Sequence, residues 1–144
     1  MKTPKSLNLL TGLFTGLLVG LGNHHLKDLY IPWKQSIIDG NISMATMFGL
    51  ELLAVLTIAT SIILIVRNII KGRFFTKRNF ICFQIMGFAF YLPVIDYAII
   101  GRFICQVDIQ IDFALYIAAG TFMFLLAEIF RYGYRLREEQ DLTI

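Results

Sequence analysis

Charged residues are scarce in this chain. Asp, Glu, Lys and Arg together make up 16% of its 144 residues, whereas 57% of the residues are hydrophobic. The mean hydropathy is +0.69. So little polar material cannot cover a globule of this size, which excludes a soluble domain and makes lipid the expected solvent.

Cysteines are also few. The only two, Cys82 and Cys105, lie near opposite ends of one apolar stretch. As a helix, that stretch would hold them about 30 Å apart. This separation excludes an intramolecular disulfide, so we interpret each thiol as free.

The usual catalytic and metal-binding patterns are missing. The chain has no G-x-S or H-E-x-x-H pattern, and its cysteines do not form the pairs that membrane thiol oxidoreductases need. His24 and His25 are adjacent, so a regular helix cannot direct both at one metal, and no cysteine lies nearby. We therefore expect no enzymatic activity, no metal and no cofactor.

Four long apolar stretches fill the sequence, over about residues 7–26, 43–66, 80–100 and 113–130. Crossing about 30 Å of hydrocarbon takes roughly 20 helical residues. The prediction is an all-α fold, a four-transmembrane-helix bundle, with residues 1–144 as one transmembrane domain. The first stretch has the basic start of a signal peptide, but no small-x-small cleavage site precedes Asn23, so we interpret it as a retained helix.

The basic residues sort to one side of these spans. Ten of the 13 Lys and Arg residues precede the first span, join the second to the third or follow the fourth, and three lie on the other side. The positive-inside rule then places both termini in the cytoplasm, in a multi-pass protein of the inner membrane. Topology explains the net charge of +3 better than direct nucleic-acid binding does. The outer segment 23–41, with Tyr30 and Trp33, is typical of a short amphipathic piece at the lipid headgroups.

Three glycines, Gly12, Gly16 and Gly20, recur every four residues in the first span. This spacing makes a flat stripe that another helix backbone can approach closely. An internal contact with a neighbouring span and a homodimer seam are both open.

Three carboxylates fall within the apolar stretches, where each needs protein, water or an ion as a partner. Glu51 and Asp96 both lie toward the outer side, and two interpretations are open. Either each carboxylate reaches the outer interface separately and is held by hydrogen bonds, or the two meet and then share a proton or recruit a cation such as Arg102 or Lys34. Pro93, three residues before Asp96, predicts a kink. Glu128 lies one turn before Arg131, which favours a local ion pair.

The polar segments on the inner side can be interpreted residue by residue. Gly72 is expected to end the second helix and Thr76 to cap the third, while Phe74 and Phe75 dip into the interface. The chain after Ala127 is expected to leave the membrane as a helix, with Arg131, Arg135 and Arg137 followed by acidic residues.

Both segments also resemble two signatures of a family of small four-helix bacterial membrane proteins known only as a domain of unknown function. The first signature is N-I-x-x-G-x-x-F-T-x-x-N, matched by Asn68, Ile69, Gly72, Phe75, Thr76 and Asn79. The second is A-E-x-F-x-x-G-x-x-L-x-E-E-x-D-L-T-I, matched from Ala127 to Ile144. Family members are often encoded beside a Cro/C1-type helix-turn-helix regulator, so the resemblance implies a membrane partner that holds or releases such a regulator.

The leading hypothesis is a non-enzymatic membrane protein whose inner face binds a cytosolic protein, with a helix-turn-helix transcription regulator as the candidate. The residues expected to carry binding are Phe75, Thr76, Asn79, Arg131, Arg135, Arg137, Glu138, Glu139, Asp141, Leu142 and Ile144. One alternative is a small oligomeric transporter or channel subunit that uses Glu51 and Asp96. Another is a structural subunit of a larger membrane complex.

Overall fold

The computed structural model describes residues 26–105 and 113–142. Over these residues the chain is helical and contains no strand, which confirms the all-α prediction. The first predicted span up to residue 25, with Gly12, Gly16 and Gly20, lies outside the described residues, as does Ile144. The elements are α1 (residues 26–38), α2 (Ile42–Ile70), α3 (Lys77–Asp96), a π-helix (Tyr97–Cys105) and α4 (Phe113–Leu142).

Three of these helical stretches are long and apolar enough to cross a membrane: Ile42–Ile70, Lys77–Arg102 and Phe113–Leu142. They correspond to the second, third and fourth predicted spans. Two threonine hydroxyls inside α2 are satisfied by carbonyls of the helix itself, as a lipid environment favours. The hydroxyl of Thr57 donates to the carbonyl of Leu53 over 2.7 Å, and that of Thr60 donates to the carbonyl of Leu56 over 2.9 Å.

Both helix junctions before α3 are built on a glycine with positive φ. Gly40 (φ 69°) ends α1 and Gly72 (φ 71°) ends α2. In each case the amides after the helix turn back to its last carbonyls: Arg73 N–H to Asn68 over 2.9 Å, and Asn41 N–H to Ser36 over 2.9 Å. This is the Schellman arrangement, which ends a helix sharply. The predicted end of the second helix at Gly72 is confirmed.

Helix α3 lies between α2 and α4 and packs against both. Ile65, Cys82 and Met86 form a buried cluster between α2 and α3, and Met123 of α4 packs against it. The α3–α4 contact is close because two glycines face each other. A Cβ at Gly120 would lie 2.8 Å from the Tyr91 ring and 3.2 Å from the carbonyl oxygen of Gly87. Glycine therefore brings two backbones together here.

The third span changes helix type near its end. Pro93 has no N–H, so it cannot bond to the carbonyl four residues earlier. The amide of Tyr97 is shared between the carbonyls of Pro93 and Val94, and a π-helix begins at that residue. The span predicted for residues 80–100, with a kink at Pro93, is therefore a helix whose hydrogen-bond register changes after Asp96.

Candidate functional site

Two ends of the bundle carry the residues of interest. We call the region formed by residues 67–79 and by α4 from residue 127 the loop end. The opposite end, where Glu51 and Asp96 lie, is the acid end. Neighbouring helices build both ends. Buried polar side chains have hydrogen-bond partners at the loop end, whereas the Asp96 carboxylate at the acid end has none.

Asn79 organises the loop end. Its side chain is fully buried, at 0% exposure. Its amide nitrogen donates to the carbonyls of Arg73 (3.1 Å) and Phe74 (2.6 Å), and its amide oxygen accepts from the Asn68 side chain (2.7 Å). One side chain therefore ties the end of α2, the loop and the start of α3 together.

The remaining residues of the first signature have equally local roles. Thr76 is the N-cap of α3, and its hydroxyl accepts from the Asn79 amide over 3.3 Å, which confirms the predicted cap. Gly72 supplies the left-handed turn. Ile69 packs against the buried cluster of α2 and α3. The first signature therefore specifies a loop of fixed shape.

The two signatures meet at Phe75. Its ring lies 5.5 Å from that of Phe130, which in turn lies 4.8 Å from Phe83 of α3. Phe75 also covers Gly133 so closely that a Cβ there would overlap its ring. Ala127, six residues before Gly133 on α4, is 1% exposed. The first half of the second signature thus anchors α4 to the loop through Phe75.

These contacts divide the residues predicted to bind a partner. Asn79 has no exposed surface, and the Thr76 hydroxyl already accepts a hydrogen bond in the N-cap of α3. Both residues therefore stabilise the loop from inside. Phe75 keeps 42% of its surface exposed. The residues of α4 beyond Gly133 are mostly exposed, with Leu142 reaching 86%.

Helix α4 continues past its apolar part to Leu142, which confirms the predicted helical tail. Its exposed surface includes a shallow groove beside Phe75, lined by Ile129, Tyr132, Gly133, Leu136, Arg137, Gln140 and Asp141. These α4 positions recur at three- and four-residue spacing, so they share one face of the helix. The apolar residues of the groove come first along α4, and its polar residues lie nearer the C-terminal end of the helix.

Charged residues of the tail pair locally along the helix. Arg131 contacts Glu128 at 3.0 Å, as predicted, and Arg137 lies 3.9 Å from Asp141. The hydroxyl of Tyr134 donates to Glu138. Exposed pairs of this kind are worth only about 0.3–0.5 kcal/mol, so they leave the acids available to a partner.

The acid end carries Glu51 on α2 and Asp96 at the end of α3, two helices that pack against each other. Asp96 is 4% exposed, and neither of its carboxylate oxygens has a hydrogen-bond partner. In the part of the chain that the structure describes, the expected pairing with Arg102 or Lys34 does not form.

Sequence reasoning missed the role of one participant. Asn79 was predicted to bind a partner. Its position three residues after the Thr76 N-cap and eleven after Asn68 was the signal that its side chain bonds within the loop instead.

Comparison with known proteins finds one family and no individual relative. No curated protein and no solved structure matches the chain. A family model described as a protein of unknown function covers residues 21–144. That range includes both signatures and all the described helices, and on this basis the chain belongs to the DUF2975 family of proteins of unknown function.

Proposed function

We propose that this is a non-enzymatic membrane protein whose loop end faces the cytoplasm and docks a cytosolic protein. The observation that carries the proposal is the course of α4, which runs as one helix beyond its apolar part and exposes a groove and an acidic end. The signatures support this role because they fix the base of that helix.

The apolar part of the docking surface is the first half of the groove. Ile129, Tyr132 and Leu136 are 59%, 65% and 43% exposed. Ile129 and Tyr132 lie nearest to the predicted membrane border, while Leu136 lies about 10 Å further along the helix axis than Ile129. An apolar side chain at that height faces water unless a partner covers it, so Leu136 is the proposed anchor.

The charged part selects the partner. Glu138, Glu139 and Asp141 lie on the last turns of α4, close to Leu142. Carboxylates in this position attract a basic surface and slow the approach of an acidic one. A helix-turn-helix protein has a basic surface because it neutralises DNA phosphates. Binding to the tail would then compete with binding to DNA.

The test is recruitment of such a regulator to membranes. In cells that produce the full chain together with a Cro/C1-type helix-turn-helix regulator, the regulator should sediment with the membranes. Removal of residues 138–144 should abolish this, and Leu136→Ala should weaken it about tenfold or more, as expected for a buried anchor.

The matched control is Asp39→Asn, which removes one exposed acid at the acid end of the bundle. It should leave recruitment unchanged. Each variant's amount in the membrane is measured in parallel. Undiminished recruitment by the truncated chain, at equal amounts of protein, would refute the docking role of the tail.

The alternative of a small oligomeric transporter or channel subunit depends on the acid end and not on the tail. Its specific support is the burial of Asp96 without a hydrogen-bond partner. A proton or cation flux in reconstituted vesicles, lost in Asp96→Asn, is the result that this alternative requires.

A further inference from the structure

The connection between α2 and α3 carries positive charge that no neighbouring acid compensates. We call residues 67–78 the basic segment. Its five cations are all exposed: Arg67, Lys71, Arg73, Lys77 and Arg78. The sequence contains no Asp or Glu between Glu51 and Asp96. Over residues 26–105 and 113–142, none of the side-chain ion pairs uses one of these cations. The basic segment is therefore free to bind an anion from outside the chain.

The buried Asn79 holds the backbone that carries these cations. The Arg73 amide donates to the carbonyl of Asn68 over 2.9 Å, and the Arg73 carbonyl accepts from the Asn79 side chain over 3.1 Å. Arg67 directly precedes Asn68, and Arg78 directly precedes Asn79. The side chains of Asn68 and Asn79 are themselves joined by a hydrogen bond of 2.7 Å. Because the backbone is already fixed, an anion that binds several of these cations has less chain entropy to overcome.

The basic segment lies at the height of lipid headgroups. It begins in the last turn of α2, a candidate membrane span of 29 residues from Ile42 to Ile70. A helix of that length measures about 43 Å, which exceeds the roughly 30 Å of hydrocarbon. Phe74, next to Arg73, keeps 43% of its surface exposed. An exposed aromatic ring beside cations is typical of residues at the lipid interface.

We propose that the basic segment is a binding site for the headgroup of an anionic phospholipid. Its cations contact the phosphate group, for which the guanidinium fork of arginine is well suited. The Phe74 ring lies at the boundary between headgroups and acyl chains. Clusters of Lys and Arg immediately next to a membrane span bind anionic lipid in this way. The site uses residues other than those of the α4 tail, so it is independent of the docking role proposed above.

Native mass spectrometry of the full chain in detergent tests the proposal. The chain is titrated with phosphatidylglycerol or with phosphatidylcholine that has the same acyl chains. The wild-type chain should bind the anionic lipid more tightly. The double variant Arg73→Gln, Arg78→Gln should bind phosphatidylglycerol about tenfold more weakly or worse, because each basic side chain near a charged membrane surface strengthens binding about fivefold.

The matched control is the double variant Lys27→Gln, Lys34→Gln, which removes two exposed cations from α1. It should leave the affinity for phosphatidylglycerol unchanged, and so should removal of residues 138–144. Equal affinity of the wild-type chain for the two lipids overturns the proposal. An equal loss in the control also overturns it, because total charge would then set the affinity. Displacement of the lipid by millimolar inorganic phosphate would instead assign the segment to a soluble anion and overturn the proposal as well.

Discussion

Asn79 shows how much one residue can determine in this protein. Its three side-chain hydrogen bonds satisfy two loop carbonyls and the side chain of Asn68 at a place with no access to water. A residue type that normally favours turns is therefore used as an internal clamp. Its position in the first signature follows from this clamp and needs no external partner.

Replacement of Asn79 by alanine should destabilise the chain by about 1–3 kcal/mol, because two carbonyls and the Asn68 amide lose their partner. Asn68→Ala removes only one of these bonds and should cost less. Lys71→Ala, an exposed loop change, should cost close to nothing. Thermal unfolding in detergent measures all three, and a stability of Asn79→Ala equal to the wild type would contradict the clamp.

At the scale of the elements, the sequence predicted the ends of helices better than the contacts between them. Gly72 and Thr76 mark the end of α2 and the start of α3 because caps depend on local backbone geometry. The close approach at Gly87 and Gly120 was not predicted, since many glycines occur in the chain and only the packing selects these two. The π-helix after Pro93 was also missed, because proline excludes one hydrogen bond without choosing the arrangement that replaces it.

The contact between Phe75 in the loop and Gly133 of α4 predicts that the effect of Gly133→Ala on stability depends on the residue at position 75. Gly133→Ala should destabilise the chain by about 1–3 kcal/mol, because the new methyl group displaces the Phe75 ring from Gly133 and Phe130. In a Phe75→Ala background the same change should be neutral or stabilising, since alanine favours helix over glycine by about 1 kcal/mol. The free energies of unfolding of the two single variants and of the double variant complete this double-mutant cycle.

Additive effects in that cycle would show that Phe75 and Gly133 do not interact. The outcome also bears on the tail, because the same contact sets the direction in which α4 leaves the bundle. A Gly133→Ala chain that unfolds like the wild type would mean that Phe75 moves away freely and leaves the tail without a fixed base.

At the scale of the whole molecule, the apolar surface and the cations have different distributions. Large apolar side chains remain exposed along the middle of all three candidate spans, for instance Leu53, Phe88 and Leu125, each more than half exposed. This belt is what lipid or another apolar helix covers. The cations gather instead at the loop end, where residues 67–78 and 131–137 contain eight of the 13 Lys and Arg residues.

That asymmetry predicts the orientation, with the loop end in the cytoplasm. The test starts from a chain without its native cysteines, with Cys82→Ala and Cys105→Ala. In that chain, a single Asp39→Cys should react with an impermeant maleimide on cells in which only the outer membrane is permeabilised. A single Lys71→Cys should react only after the inner membrane is permeabilised. Both positions are exposed, so a difference in labelling reports the side of the membrane and not burial. Labelling of Lys71→Cys before permeabilisation, with Asp39→Cys protected, would reverse the topology. It would also place the α4 tail outside the cell, where a cytosolic regulator cannot reach Leu136 or the acids that follow it.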